Sequence, residues 1–160
     1  MTGIRRATLD DKQFIIDLYN TGAMMKYLTD DNSLSIIDFG IENIINVSSI
    51  YPLISEMDDI KSGLFLFFPW NYTTYELHVA ILPKYRGQHS IEAGTMAGMW
   101  MFNNTVCRKI VTMIPKQNYK AKALAIAVGM QQEGINRQSY MKDGVLYDQY
   151  LFGICKGDVQ

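Results

Sequence analysis

The sequence predicts an α/β fold of the mixed, α+β kind: a central mixed sheet of about seven strands, with four helices on its two faces. Three observations predict it. Segments that alternate apolar and polar residues with period two are interleaved with segments of helical period. Short separators between strand-like segments carry hairpin chemistry, as at Asp58-Asp59 and Asp143-Gly144. The helical segments fall among the hairpins, which calls for a mixed sheet covered on both faces. A chain of 160 residues suits one domain spanning 1–160 with its own core.

Ile4 to Thr8 reads as the first strand. Asp10 and Asp11 then cap a helix whose stripe is Phe14, Ile15, Leu18 and Tyr19. A second helix is expected to start at Asn32 or Ser33 and to lay Leu34, Ile37, Ile41, Ile44 and Ile45 on the core, with Gly40 inside it. Tyr51 to Met57, Gly63 to Trp70 and Tyr75 to Leu82 read as three strands, the last stopped by Pro83. Ser90 to Asn104 favours a helix, in which Gly94 and Gly98 would permit close approach to a sheet. Lys109 to Ile114 is a strand, and Asn118 to Val128 an alanine-rich helix ended by Gly129. Arg137 to Tyr140 and Val145 to Ile154 close the chain as a hairpin. Phe65, Phe67, Phe68, Trp70, Tyr72 and Tyr75 read mainly as core and hairpin packing, and Met24, Met25, Met96, Met99 and Met101 as core filling.

Composition excludes several classes. With 48% hydrophobic and 19% charged residues the chain is not a disordered one. A net charge of −1 offers no basic face for nucleic acid. No apolar run reaches the roughly 18 residues of a spanning helix, and no apolar core follows Arg5 and Arg6, so a cytoplasmic protein without membrane contact is expected. Cys107 and Cys155 make no disulfide framework, and no Cys/His spacing suggests a metal.

The segment Tyr75 to Glu92, YELHVAILPKYRGQHSIE, carries the chemistry. A strand enters a Gly-bearing turn that opens a helix, so backbone N–H groups and the helix dipole converge on a point suited to phosphate oxygens. Lys84 and Arg86 add positive charge there. On these residues alone an ordinary strand-to-helix turn with two solvated basic residues is the stronger reading. Glu76 and His78 fall on one face of the same strand and are candidate proton acceptors for an amine. A solvent-facing charge for Glu76, and a hydrogen-bonded strand histidine for His78, stand beside that reading.

A second segment, Asn118 to Met130, carries Asn118, Ala121 three residues on and Gly129 eleven on, followed by Gly134, Arg137, Gly144 and Asp148. Together with Pro83, Arg86 and Gly87, and over almost the whole chain, the sequence resembles the GNAT superfamily of N-acetyltransferases. Its tail is similar to the branch that acetylates ribosomal-protein N-termini and polyamines. The resemblance implies a sheet splayed between the fourth and fifth strands, with acetyl-CoA as co-substrate and no metal. It implies pantetheine contacts to the main chain of Ala80, Ile81 and Leu82, with an N–H near Leu82 facing the developing oxyanion. The diphosphate would lie over Lys84, Arg86, Gly87, Gln88, His89 and Ser90. Asn118 would bond the CoA arm or cap the helix it precedes. An amine of unspecified identity would be the second partner, and a homodimer is an assembly to expect. Arg137 and Asp148 would form an ion pair holding the last hairpin.

Two positions depart from the family pattern. His89 stands where glycine or alanine is usual, so its ring would either crowd the diphosphate or turn outward to donate to it. Ala125 stands where many members carry the tyrosine that protonates the departing thiolate. Transfer of acetyl to a primary amine is the leading expectation. A non-catalytic relative with a structural, assembly or binding role, virus-encoded for instance, is the alternative, and a CoA-holding sensor a third.

Overall fold

Two-residue turns build two of the hairpins of the sheet. Asp58 and Asp59 adopt φ of 50° and 63°, and Asp143 and Gly144 adopt 52° and 74°. Consecutive positive φ values are what a tight hairpin needs to match the strand twist. The computed structural model describes residues 1–32 and 34–159, with no side chains described for 23–25. Ser33, one expected helix start, lies outside the described residues, as do the side chains of Met24 and Met25.

The strands are β1 (Thr2–Arg6), β2 (Tyr51–Met57), β3 (Ile60–Pro69), β4 (Thr74–Ile81), β5 (Lys109–Pro115), β6 (Gln131–Lys142) and β7 (Val145–Cys155). They form one seven-stranded mixed sheet in the order β1-β2-β3-β4-β5-β7-β6. Every neighbouring pair is antiparallel except β4 and β5, which are parallel. The helices are α1 (Lys12–Tyr19), α2 (Gly22–Leu28), α3 (Ile36–Phe39), α4 (Ile41–Asn46), α5 (Gln88–Asn104) and α6 (Tyr119–Ala127).

Each face of the sheet has its own core. On one, Leu53, Phe65, Phe67 and Ile81 pack against Ala93, Ala97 and Met101 of α5 and Ala125 of α6. On the other, Ile54, Leu64, Leu66 and Ala80 pack against Ile15 and Leu18 of α1 and Ile41 and Ile44 of α4. Burial of each such large side chain contributes about 1.5–3 kcal/mol before chain entropy is subtracted.

Several expectations are corrected. The described residues hold six α-helices rather than four. The second predicted helix is two short ones, because Gly40 at φ 95° breaks it. Leu34, expected on the core stripe, is 78% exposed. The first strand runs over Thr2–Arg6, two residues earlier than its pattern suggested. β6 is far longer than Arg137 to Tyr140. Its polar, exposed first half shows no period-two signal because it lies at the sheet edge. Asp148 pairs with Lys116 at 3.0 Å, not with Arg137, and accepts the Gln138 N–H at 2.9 Å. Met96, Trp70 and Tyr72 are exposed rather than core. The close neighbour of Gly94 is Val128 after α6, which a Cβ there would meet at 3.1 Å, while the sheet lies at ordinary contact, Phe65 at 3.6 Å from Gly94 and Ile110 at 3.8 Å from Gly98.

No helix among the described residues is long and apolar enough to cross a membrane. No group of three or more His, Cys, Asp or Glu among them is placed to hold a metal ion.

Candidate functional site

β4 and β5 pair over three residue pairs only, from Thr74–Lys109 to Glu76–Val111. Beyond them β4 runs on to Ile81 and β5 to Pro115 without pairing. The sheet is splayed here, and a wedge opens toward the C-terminal ends of both strands.

Which backbone groups face the wedge follows from the β3–β4 ladder. The Leu82 N–H donates to the Ser62 carbonyl at 2.9 Å, and the Trp70 N–H to the Thr74 carbonyl at 2.8 Å. Antiparallel bonding alternates by residue, so even-numbered β4 residues turn their N–H and C=O toward β3 and odd-numbered ones toward β5. The Thr112 hydroxyl, donating to the Leu77 carbonyl at 3.0 Å, agrees with that phase. Val79 and Ile81 therefore present main-chain groups to the wedge. Ala80, expected to do so, gives its groups to β3, and Leu82, also expected, gives its carbonyl to the Tyr85 N–H at 2.9 Å. The Leu82 N–H in particular is committed to Ser62.

After β4 a 3-10 turn over Pro83–Tyr85 leads to Gly87, which caps α5 at φ 97° and ψ −135°. The first helical bond runs from the Ile91 N–H to the Gly87 carbonyl at 3.3 Å. The N–H groups of Gln88, His89 and Ser90 precede it and have no carbonyl within the helix. The Ser90 hydroxyl donates to the Gly87 carbonyl at 2.7 Å, fixing the turn. Nothing lies within 4 Å of where a Gly87 Cβ would stand. Arg86 reaches back to donate from Nε to the Ile81 carbonyl at 3.3 Å. The Lys84 ammonium lies 4.8 Å from the ring centroid of Tyr85.

His89 neither crowds this turn nor points out of it. Its ring is buried, with Nε2 2.7 Å from the Ser62 hydroxyl and Nδ1 3.0 Å from the Thr2 hydroxyl. Ser62 continues to Ser55 at 2.9 Å, and Thr2 donates to Glu92 at 2.8 Å. A chain of hydroxyls thus ties the first turn of α5 to β1, β2 and β3. His89→Ala should leave the fully buried Ser62 short of a partner. That costs about 1–3 kcal/mol, and thermal melting of the variant against the parent measures it.

Asn118 acts as a cap, its side-chain oxygen accepting the Ala121 N–H at 3.2 Å. Ala125 is buried in the core, and Tyr119 is exposed. Next to Asn118, the side-chain oxygen of Gln117 is buried without a hydrogen-bond partner. An orphan acceptor of this kind costs about 1–3 kcal/mol, which a ligand N–H would offset. No local pattern marks Gln117 in the sequence. The open space at Gly87 and the first-turn N–H groups of α5 make a place suited to phosphate oxygens.

Glu76 and His78 do share one face of β4, with carboxylate oxygen and Nε2 3.5 Å apart. Phe68 meets the imidazole edge-on at 5.6 Å. His78 keeps 43% of its side-chain surface exposed, and the desolvation of the rest of the ring lowers its pKa below the ordinary 6.5, which Glu76 partly opposes. His78 borders a pocket of about 270 Å³ between the sheet and the segment from α1 to α4, on the face away from α5.

A family model described as protein of unknown function (DUF2824) matches residues 9–159. No curated protein matches the sequence. Among solved structures, a spermidine N-acetyltransferase from Vibrio cholerae in complex with CoA and spermine is similar, with TM-score 0.85 and 21% identity. The match covers 99% of this chain and 97% of that one. A GNAT-family acetyltransferase from Bacillus anthracis aligns with TM-score 0.79 and 19% identity, covering 98% of this chain and 95% of that one. At these identities the likeness is one of fold.

Proposed function

The chain belongs to the DUF2824 family of proteins of unknown function, and on that premise we propose that it is a GNAT-type N-acetyltransferase moving acetyl from acetyl-CoA to a primary amine. The observation that carries the proposal is the wedge beyond Glu76 and Val111, flanked by the unpaired first-turn N–H groups of α5. The similar fold of the CoA-bound Vibrio enzyme supports it.

In this reading the N–H groups of Gln88, His89 and Ser90 hold the diphosphate, with the helix dipole adding favourable charge. Lys84 and Arg86 sit at its edge. The main-chain groups of Val79 bond the pantetheine arm from one bank, and Gln117 accepts an amide N–H from the other. The Ile81 N–H, rather than that of Leu82, is the donor available for the developing oxyanion. Acetyl-CoA supplies a thioester whose carbonyl carbon takes the amine lone pair as the thiolate leaves. His78, assisted by Glu76, accepts the proton lost by the attacking ammonium.

A thiol-detection assay of CoA release over an amine panel tests transfer. Because a neutral imidazole is the acceptor and its pKa is lowered, kcat/KM should be flat above neutrality and fall on an acid limb below pH 6.5. His78→Ala should cut the rate about a hundred- to ten-thousand-fold and abolish that limb. A limb unchanged in the variant would remove His78 from the chemistry.

The buried Ala125 at the usual tyrosine position favours a second reading, in which the fold binds CoA or a partner without turnover. Acetyl-CoA binding with no CoA release for any amine would select it.

A further inference from the structure

The turn proposed to hold the diphosphate has no core of its own. Among residues 83–88 only Tyr85 is half-buried, and the others are exposed. Its two ends are fastened, and both are fastened to one residue. At the start, the Leu82 N–H donates to the Ser62 carbonyl at 2.9 Å. At the finish, the Ser62 hydroxyl meets His89 Nε2 at 2.7 Å. Ser62 takes its direction from an irregularity of β3. Ser55 pairs with Gly63 and Glu56 with Lys61, so Ser62 is the extra residue of a β-bulge. Strict alternation from Leu66 and Leu64, which pack with α1 and α4, would send Ser62 to that side. The bulge turns it to the α5 side instead, where it is fully buried beside Ser55 at 2.9 Å. A Cβ on the next residue, Gly63, would meet the Ala80 carbonyl at 2.7 Å, so the bulge is set tightly against the end of β4.

Proton counting gives these hydroxyl bonds one direction. Thr2 has a single hydroxyl proton and gives it to the Glu92 carboxylate, so its oxygen accepts from His89 Nδ1. In that tautomer Nε2 carries the lone pair and accepts the Ser62 proton, and Ser62 accepts from Ser55. We infer that Ser62 and His89 are positioning residues for the acyl donor. They hold the turn from Leu82 to His89 so that the N–H groups of Gln88, His89 and Ser90 are aimed before acetyl-CoA arrives. This rests on the diphosphate site of the transfer reading above. His89 supplies one of those N–H groups from its main chain, and its own side chain fixes the aim. Where the family pattern has glycine or alanine, this chain thus has an internal brace. A turn aimed correctly a tenth of the time would lose about tenfold in apparent affinity.

Calorimetric titration of the full chain with acetyl-CoA, at a temperature where every variant is folded, tests this. His89→Ala and Ser62→Ala should each weaken acetyl-CoA about tenfold or more. Ser62→Ala keeps the main-chain bond to Leu82 and decides the matter if His89→Ala does not fold. His89→Gln, whose side-chain oxygen can take the Ser62 proton, should bind within about threefold of the parent. Ile15→Val, in the buried core on the other face of the sheet, should melt lower and bind acetyl-CoA as the parent does. That control separates aim from stability. Unchanged acetyl-CoA affinity in the alanine variants overturns the inference and leaves the transfer reading standing, as does a glutamine variant no better than alanine. If the parent itself does not bind acetyl-CoA, the transfer reading fails and this inference fails with it.

Discussion

Gly87→Glu should abolish the stabilisation that acetyl-CoA confers on the protein. A ligand at about a hundred times its dissociation constant adds about 2.7 kcal/mol to a native state. For a chain of this size that is a rise of roughly 5–11 °C in melting temperature, and the variant should show none of it. The cause is local. Gly87 sits at the mouth of the N–H groups that open α5, with φ 97° and ψ −135° and open space at its Cβ position. A carboxylate there would sit where a diphosphate must, and like charge at close range excludes it. The fold should survive, since an acidic residue suits a helix N-terminus and the strained φ costs about 1–3 kcal/mol. Gly87→Ala is the control: it carries the same backbone strain without the charge. It should melt lower than the parent, yet keep a measurable shift with acetyl-CoA. An undiminished shift in the glutamate variant would move the phosphate site elsewhere.

Asp11→Asn carries the second large effect, this time on stability. Asp11 is buried, and its two oxygens meet the Arg5 guanidinium at 2.8 and 2.9 Å, the Lys61 ammonium at 2.7 Å and the Thr8 N–H at 2.8 Å. The group ties β1, β3 and the start of α1 together beneath the helices that wall the pocket. Neutralising the carboxylate takes the ion-pair partner from Lys61 and leaves Arg5 with Glu56 alone, at 2.8 Å. Breaking a buried pair costs about 3–5 kcal/mol. The side chains of Arg5 and Lys61 keep 38% and 33% of their surface exposed, so the lower end applies. About 3 kcal/mol translates into a melting fall of roughly 6–12 °C.

The pH dependence has a definite sign. Arg5 above all, with Lys61 and the Thr8 N–H, holds the Asp11 carboxyl well below the usual carboxylate range against the opposing effect of burial. A depressed acid stabilises the native state fully above its unfolded pKa, about 3.9. That contribution is lost as pH falls through the folded value. The gap between parent and variant should be constant above about pH 5 and close progressively below about pH 4. A gap that widens toward acid would assign the effect to another group.

What could be read from the sequence was what local patterns determine. Alternation and turn chemistry gave the strands, and a Pro, an Arg and a Gly in the right order marked the turn before α5. The unread parts depend on partners distant in the chain. Whether Ala80 or Ile81 faces the wedge is set by the hydrogen bond from Leu82 to Ser62, a matter of ladder phase that side-chain alternation does not reveal. The inward turn of His89 depends on Ser62, 27 residues away, and Thr2, 87 residues away. The pairing of Asp148 with Lys116 replaces the one expected with Arg137 because Gln138, at φ 51°, lies in a shift of the β6–β7 register. α2 and the break at Gly40 were missed because short helices carry too few turns to display a period.

The short parallel register between β4 and β5 has a mechanical consequence. The four strands on one side and the three on the other are two rafts joined along a narrow seam. A molecule bonded to both banks would act as mortar in that seam, so part of its binding energy would appear as rigidity. Amide hydrogens flanking the joint, in Val79 and Ile81 above all, would then exchange more slowly with solvent when the ligand is present, while those of the outer strands would be little affected.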